Sequence, residues 1–241
     1  AGLIIIAART SAGKTAFLTT LVTNFIKKQN RSLVVTLEMS SNQIMERILA
    51  ALSGETLDNI QYGKILNLEK FEEACRVIKN SHIIFDEKTR PTMKQLSKRI
   101  RKVLSKNTDI KDVFIDHSDH IKINPNNRID VEIGEITKEC KAISREFEVR
   151  VYLLHQLNRE LEKRTDKRPV LSDLKNSGNV EQDADLILFL HNDYYHNSNN
   201  SDIPDEINAE IKVGKNRIGN VGIAKVRFDR TRSYFKDAEV G

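Results

Sequence analysis

The sequence predicts an α/β fold: a mainly parallel central sheet flanked by helices, with an antiparallel extension near the C-terminal end. Three observations carry this. Apolar clusters of about four to six residues alternate with helical patterns of about 12 to 18, the rhythm of βαβ units. The first cluster runs into a Gly-Lys turn and then an apolar-striped helix. The last clusters follow one another across short turns, which suits antiparallel pairing.

Taken in order, Leu3–Ala7 is a buried strand placed almost at residue 1. Chain termini usually fray at the surface, so further chain is expected upstream, the 241 residues forming a single domain of a longer protein. Strands are next expected at Leu33–Leu37, His82–Phe85, Val113–Ile115 and Val149–Leu154, then at Leu186–Leu190, Ala209–Val213 and Gly222–Phe228. Ser40 with Gln43 makes a capping box ahead of Ile44, Ile48 and Leu52, and Thr92 with Gln95 makes another ahead of Leu96, Ile100 and Leu104. Ile129, Ile133, Ile136, Cys140, Ile143 and Phe147 recur at three- and four-residue steps, giving one buried helix face. Asn158 to Asp173 and His191 to Glu206 read as mobile loops, and Gly214–Gly222 as a hairpin tip.

Apolar residues are 39% and charged residues 30%, which excludes a disordered chain. Lys+Arg 39 against Asp+Glu 34 gives +5, compatible with a nucleic-acid partner without arguing for one. Cys75 and Cys140 have no metal-type spacing and read as two packed thiols in a reducing, cytoplasmic setting. No apolar run approaches the ~18 residues of a membrane span, so no membrane partner is expected.

The most informative stretch is Ala8-Arg9-Thr10-Ser11-Ala12-Gly13-Lys14-Thr15. Between a strand and a helix it has the form of a P-loop, with Ala8 at the usual first glycine. Gly13 lets backbone approach a phosphate, and the N–H groups of the turn and helix start supply positive potential. Arg9, Ser11, Ala12, Gly13, Lys14, Thr15 and Ala16 are therefore the expected nucleotide-binding residues. Lys14 can reach β- and γ-phosphates, and the Thr15 hydroxyl can ligate Mg2+. Hydrolysis also needs an activated water and support for the metal. Val113-Phe114-Ile115-Asp116 is an apolar strand ending in an acid, suited to the Mg2+ shell. Glu38 and Gln156 follow other strands at the same sheet edge, where α/β sites lie. They could act on the water and sense the γ-phosphate.

Four stretches carry a family resemblance: AARTSAGKT at Ala7–Thr15, TLEMS at Thr36–Ser40, HQLNR at His155–Arg159 and DLKNSGNVEQDADLILFL at Asp173–Leu190. KNRIG at Lys215–Gly219 is a shorter fifth. The chain resembles the C-terminal motor domain of DnaB-type replicative helicases, in which Ala8 in place of glycine is common. The resemblance implies a RecA-like fold, ATP with Mg2+, and a ring of six moving on single-stranded DNA. It implies phosphate and metal binding by Lys14 and Thr15, water activation by Glu38, metal support by Asp116, and coupling through Gln156. Lys215 and Arg217 would reach a neighbouring subunit's ATP, and Lys175, Asn176 and Gly178 would belong to the DNA-contacting loop. Primase and a helicase loader are the implied further partners, through chain outside this sequence.

The match has departures. Lys175 and Asn176 stand where relatives more often carry Arg and Glu, and His155 where Ser is preferred. His117-Ser118-Asp119-His120 replaces Tyr and apolar residues. Nothing else in the sequence completes a ligand set there, so a polar loop is expected rather than a metal site. Two rival functions share the motifs: a recombination or clock-type RecA-like ATPase, and a nucleotide-gated DNA-binding scaffold with little turnover.

Overall fold

The computed structural model describes residues 1–87, 89–174, 178–192, 194 and 204–238. Strand β1 (Gly2–Ala8) leads into α1 (Lys14–Lys27), then β2 (Ser32–Thr36), α2 (Ser41–Ser53), α3 (Leu57–Gln61), α4 (Leu68–Lys79) and β3 (Ile83–Glu87). Helix α5 (Met93–Lys106), β4 (Asp112–Asp116), α6 (Ile129–Glu146), β5 (Arg150–Gln156), α7 (Gly178–Asp183) and β6 (Leu186–His191) follow. Three strands close the chain: β7 (Glu206–Asn216), β8 (Gly222–Asp229) and β9 (Tyr234–Asp237).

One nine-stranded sheet runs in the order β3-β2-β4-β5-β1-β6-β7-β8-β9. Every pair from β3 to β6 is parallel, and β6 to β9 pair antiparallel. Apart from the half-buried edge strand β3, the parallel strands are buried on both faces, which is why they read as unbroken apolar runs. Alternation within them sorts two cores. Leu3, Ile5, Leu33, Val35, Val113 and Ile115 face α5 and α6, against Leu96, Ile100, Ile136, Cys140 and Ile143. Ile4, Ile6, Val34, Phe114 and Leu154 face α1 and α2, against Phe17, Leu18, Val22, Ile44 and Ile48.

Both capping boxes form. Ser40 Oγ accepts from Gln43 N at 3.2 Å while Gln43 Oε1 accepts from Ser40 N at 3.0 Å. Thr92 and Gln95 do the same. Each fixes where its helix starts after a strand; the Ser40 box does so just past Glu38 and Met39, which border a cleft at the sheet edge, and so helps set the chain's exit from the sheet there.

Several expectations need correction. β9 has no apolar run to announce it; four residues pair with β8 because Phe235 stacks on Phe228 and meets Phe17 edge-on. Ile129 is 57% exposed, because it stands in the first turn of α6 and burial starts a turn later. Asn158 to Asp173 is not a free loop. Short 3-10 turns at Arg159–Lys163 and Leu171–Leu174 bury Leu161, and Arg164 Nη2 lies 2.8 Å from Asp173 Oδ2. The hairpin tip is shorter than Gly214–Gly222, since β7 continues to Asn216. Cys140 is buried, which pushes its thiol pKa up to about 12, but Cys75 is exposed rather than packed. In the expected loop His191 to Glu206, residues 193 and 195–203 lie outside the described residues.

Candidate nucleotide-binding site

Parallel strands pointing one way deliver the chain to one sheet edge. Ala8 at the end of β1 pairs with Gln156 at the end of β5, and Thr36 of β2 pairs with Asp116 of β4. The Leu37 N–H then donates to the Asp116 carbonyl at 2.8 Å, which holds Glu38 beside the end of β4. This edge opens on a cleft of about 490 Å³ that takes in Ser11, Gly13, Lys14, Thr15, Glu38 and Gln156. Thr10, not among the expected residues, and the expected Ala16 border it as well.

Gly13 has φ 92°, the left-handed region that favours glycine. A Cβ there would also stand 3.1 Å from the Phe235 ring. Gly13 opens α1 with no side-chain cap, and the first turn carries no acid. Its first N–H groups are thus left to an outside acceptor, the condition for anion binding at a helix start. Lys14 is nearly buried, its Nζ donating to the Ala8 and Arg9 carbonyls at 3.2 Å each. Burial lowers its pKa, opposed by Asp119, Asp116 and Glu38.

Two expected residues serve the turn from behind. The Arg9 side chain does not border the cleft. Nη1 donates to the Leu157 carbonyl at 2.7 Å and Nε to Glu162 at 2.8 Å, tying the turn to the segment after β5. Ala12 packs in the core below the turn.

Asp116 is 1% exposed, and neither carboxylate oxygen has a hydrogen-bond partner among the described residues. Burial pushes its pKa up, while His117 and Lys14 pull the other way; the Thr15 hydroxyl lies beside it. A buried carboxylate without donors is costly unless a cation compensates it. An orphaned acid next to a threonine hydroxyl is a donor set of hard oxygens, which fits Mg2+.

Sequence reading passed over Arg47. It projects from α2 into the cleft, and desolvation by burial lowers its pKa. A single arginine in a helix leaves no motif to find. His155 does not touch the cleft. It is buried and shares a 2.9 Å hydrogen bond between Nδ1 and Ser118 Oγ, and burial lowers its pKa. The polar loop after β4 does gain a partner from elsewhere. Glu38 Oε2 lies 3.1 Å from His117 Nε2 and 3.8 Å from His120 Nε2.

Lys215 and Arg217 are not brought to this cleft. The Arg217 N–H donates to the Asp185 carbonyl at 2.9 Å, and Asp185 N–H donates to that of Leu3 at 2.9 Å. Arg217 thus sits at the beginning of β1, while the phosphate turn lies at its end, ~17 Å away at strand rise. Its guanidinium donates to the Gln182 carbonyl at 2.6 Å, and Lys215 Nζ donates to that of Glu181. Of the expected DNA-contacting residues, Lys175 and Asn176 lie outside the described residues, and Gly178 opens α7. No helix among the described residues is long and apolar enough to cross a membrane.

Comparison with known proteins bears on the fold and the family. The chain is 37% identical over 242 residues to a probable replicative DNA helicase of Trieres chinensis, covering 98% of this chain and 53% of that protein. It is 36% identical to the replicative DNA helicase DnaB of Haemophilus influenzae, covering 97% of this chain and 50% of that one. The chain therefore spans about half the length of the curated relatives it matches. Among solved structures, one of an ATPase domain superposes with a TM-score of 0.88 at 30% identity, covering 99% of this chain and 85% of that one. A DnaB-like replicative helicase described with its primase interactions also gives 0.88 at 30%, covering 99% and 57%. These neighbours identify the sheet and its flanking helices as the RecA-like ATPase fold. The model of the DnaB-like helicase C terminal domain matches residues 1–237, and the chain belongs to that family.

Proposed function

We propose that this chain is the ATP-hydrolysing motor of a replicative DNA helicase that works as a ring of six on single-stranded DNA. The observation that carries it is the split of the machinery between two edges of one sheet. Lys14, Thr15, Glu38 and Asp116 meet at one edge, while Arg217 is fixed near the other. Arg217 does not reach its own subunit's phosphate site, and a neighbour's copy can supply it.

Lys14 and the turn's N–H groups hold the β- and γ-phosphates, with Arg47 adding charge from α2. Thr15 and Asp116 would hold Mg2+, which when bound would neutralise charge on the transferred phosphoryl group. Glu38 takes a proton from the attacking water as its oxygen bonds the γ-phosphorus and the bond to ADP breaks. Arg217 and Lys215 of an adjacent copy stabilise the developing charge, worth ~10³–10⁵ in rate for such an arginine.

Coupling to DNA follows from Gln156. Two residues on, the Asn158 N–H donates to the Asp173 carbonyl at 3.2 Å, just ahead of the stretch containing Lys175 and Asn176. Movement of Gln156 with γ-phosphate state thus reaches that stretch by a short backbone route. Lys175, Asn176 and Gly178 contact the DNA backbone, with little sequence preference and strong salt dependence. Primase, as in the relative described with it, and a loader are the partners of the longer protein.

Mixing separates this reading from its rivals. Lys14→Ala and Arg217→Ala each abolish DNA-stimulated turnover, with ATP binding better preserved in Arg217→Ala. Combining them restores part of the activity, because one class of interface regains both parts. Normal hydrolysis by Arg217→Ala would sink the trans assignment. A flat response to single-stranded DNA would favour a scaffold, and failure to displace a strand a recombination-type ATPase.

A further inference from the structure

The loop after β4 carries two histidines with no ligand partner in sequence, yet the fold supplies one. Glu38, His117 and His120 offer ligand atoms that all lie within 4.8 Å of one another. They come from the exits of two neighbouring strands, β2 and β4, locked in register by Thr36 pairing with Asp116. Two ligands each ~2.1 Å from a tetrahedral ion stand ~3.4 Å apart. The Glu38 oxygen sits 3.1 Å from one imidazole and 3.8 Å from the other, bracketing that separation. The two rings are 4.6 Å apart at 68°, so both Nε2 atoms can turn to one point without stacking.

We propose that Glu38, His117 and His120 form a second metal site, for a borderline transition ion such as Zn2+ or Co2+, distinct from the Mg2+ position at Thr15 and Asp116. Ligand chemistry separates the two. Mg2+ takes hard oxygens in octahedral geometry and keeps its waters, whereas two imidazoles and one carboxylate suit zinc. His117 is almost buried, while His120 and Glu38 stay partly open to the cleft. The pattern is thus three protein ligands with the fourth position facing solvent or a phosphate oxygen. Asp116 and Asp119 lie close enough to bias the site toward a cation. The site stands whether or not Glu38 activates water. If it does, an ion here engages that carboxylate and competes with turnover.

The test uses the full chain without nucleotide, in millimolar Mg2+, titrated with Zn2+ by calorimetry and with Co2+ by visible absorption. The expected result is one equivalent of Zn2+ bound at micromolar concentration, and Co2+ bands of four-coordinate intensity. His120→Ala should weaken binding beyond the ~10–100-fold cost of losing an outer-shell partner. Glu38→Gln, at a half-exposed side chain, reads the same ligand set if His120→Ala folds poorly. Cys75→Ser and His82→Asn, which remove potential ligands outside this cluster, should bind Zn2+ as wild type does. No binding by wild type in Mg2+, or equal binding by wild type, His120→Ala and Glu38→Gln, would overturn the proposal. Since no ATP is present, neither result depends on the motor reading.

Discussion

Asp116→Asn should stabilise the protein while removing its response to Mg2+-nucleotide. The wild-type carboxylate is 1% exposed with both oxygens unpartnered among the described residues. Burial raises its pKa above the ordinary 3.8. A folded-state pKa above the unfolded value means that the native state binds the proton more tightly. That contribution is fully present below the unfolded pKa and is lost as pH rises through the raised folded pKa. Whenever it is ionised, the fold carries a desolvated charge without donors. Relieving such a group is worth on the order of 1–3 kcal/mol, which for a chain of this size is ~2–12 °C in melting temperature. Wild type with Mg2+-ATP gains ~2.7 kcal/mol at a hundredfold excess over Kd. Differential scanning calorimetry with and without Mg2+-ATP reads both effects. The variant should melt higher than wild type alone and show little Mg2+-dependent rise. A lower melting temperature without nucleotide, or an undiminished Mg2+-dependent rise, would refute the assignment of Asp116 as an acid held in strain for a metal. Wild type without nucleotide should also gain stability from acidification between neutrality and the ordinary carboxylate range at this one position, and the variant should not.

Gly13→Ala forces a Cβ into a left-handed residue and to 3.1 Å from Phe235. It should cost ~1–2 kcal/mol by urea unfolding, with weaker ATP binding; unchanged values would mean the turn is not conformationally constrained. Phe235→Ala removes the ring that stacks on Phe228 and abuts Phe17, and should cost up to ~3–5 kcal/mol while loosening the base of the phosphate turn. Lys175→Ala should reduce the slope of log affinity for single-stranded DNA against log salt by ~0.7, and an unchanged slope would remove it from the phosphate contacts.

The parallel half of the sheet was legible because its inner strands are buried on both faces, leaving continuous apolar runs such as Leu3–Ala7 and Val113–Ile115. Both capping boxes were legible because side chain and backbone satisfy each other within four residues, with no tertiary input. The strand–turn–helix placement of residues 8–15 belongs to the same class, because strand, glycine turn and helix are consecutive in the chain. Tertiary structure decided what depends on distant segments meeting. β9 exists because Phe235 finds Phe228 and Phe17, and Tyr234–Asp237 carries no apolar run to declare it. Arg9 turned from phosphate to Glu162 and the Leu157 carbonyl because the segment after β5 lies behind the turn. Arg47 entered the cleft from a position on α2 that no motif marks. Glu38 met His117 and His120 because register between β2 and β4 brings residues about 80 positions apart to one point. Local hydrogen bonding and burial periodicity are written residue by residue. Which side chains share a cleft is fixed only when strands align, since register and direction are properties of pairs of segments.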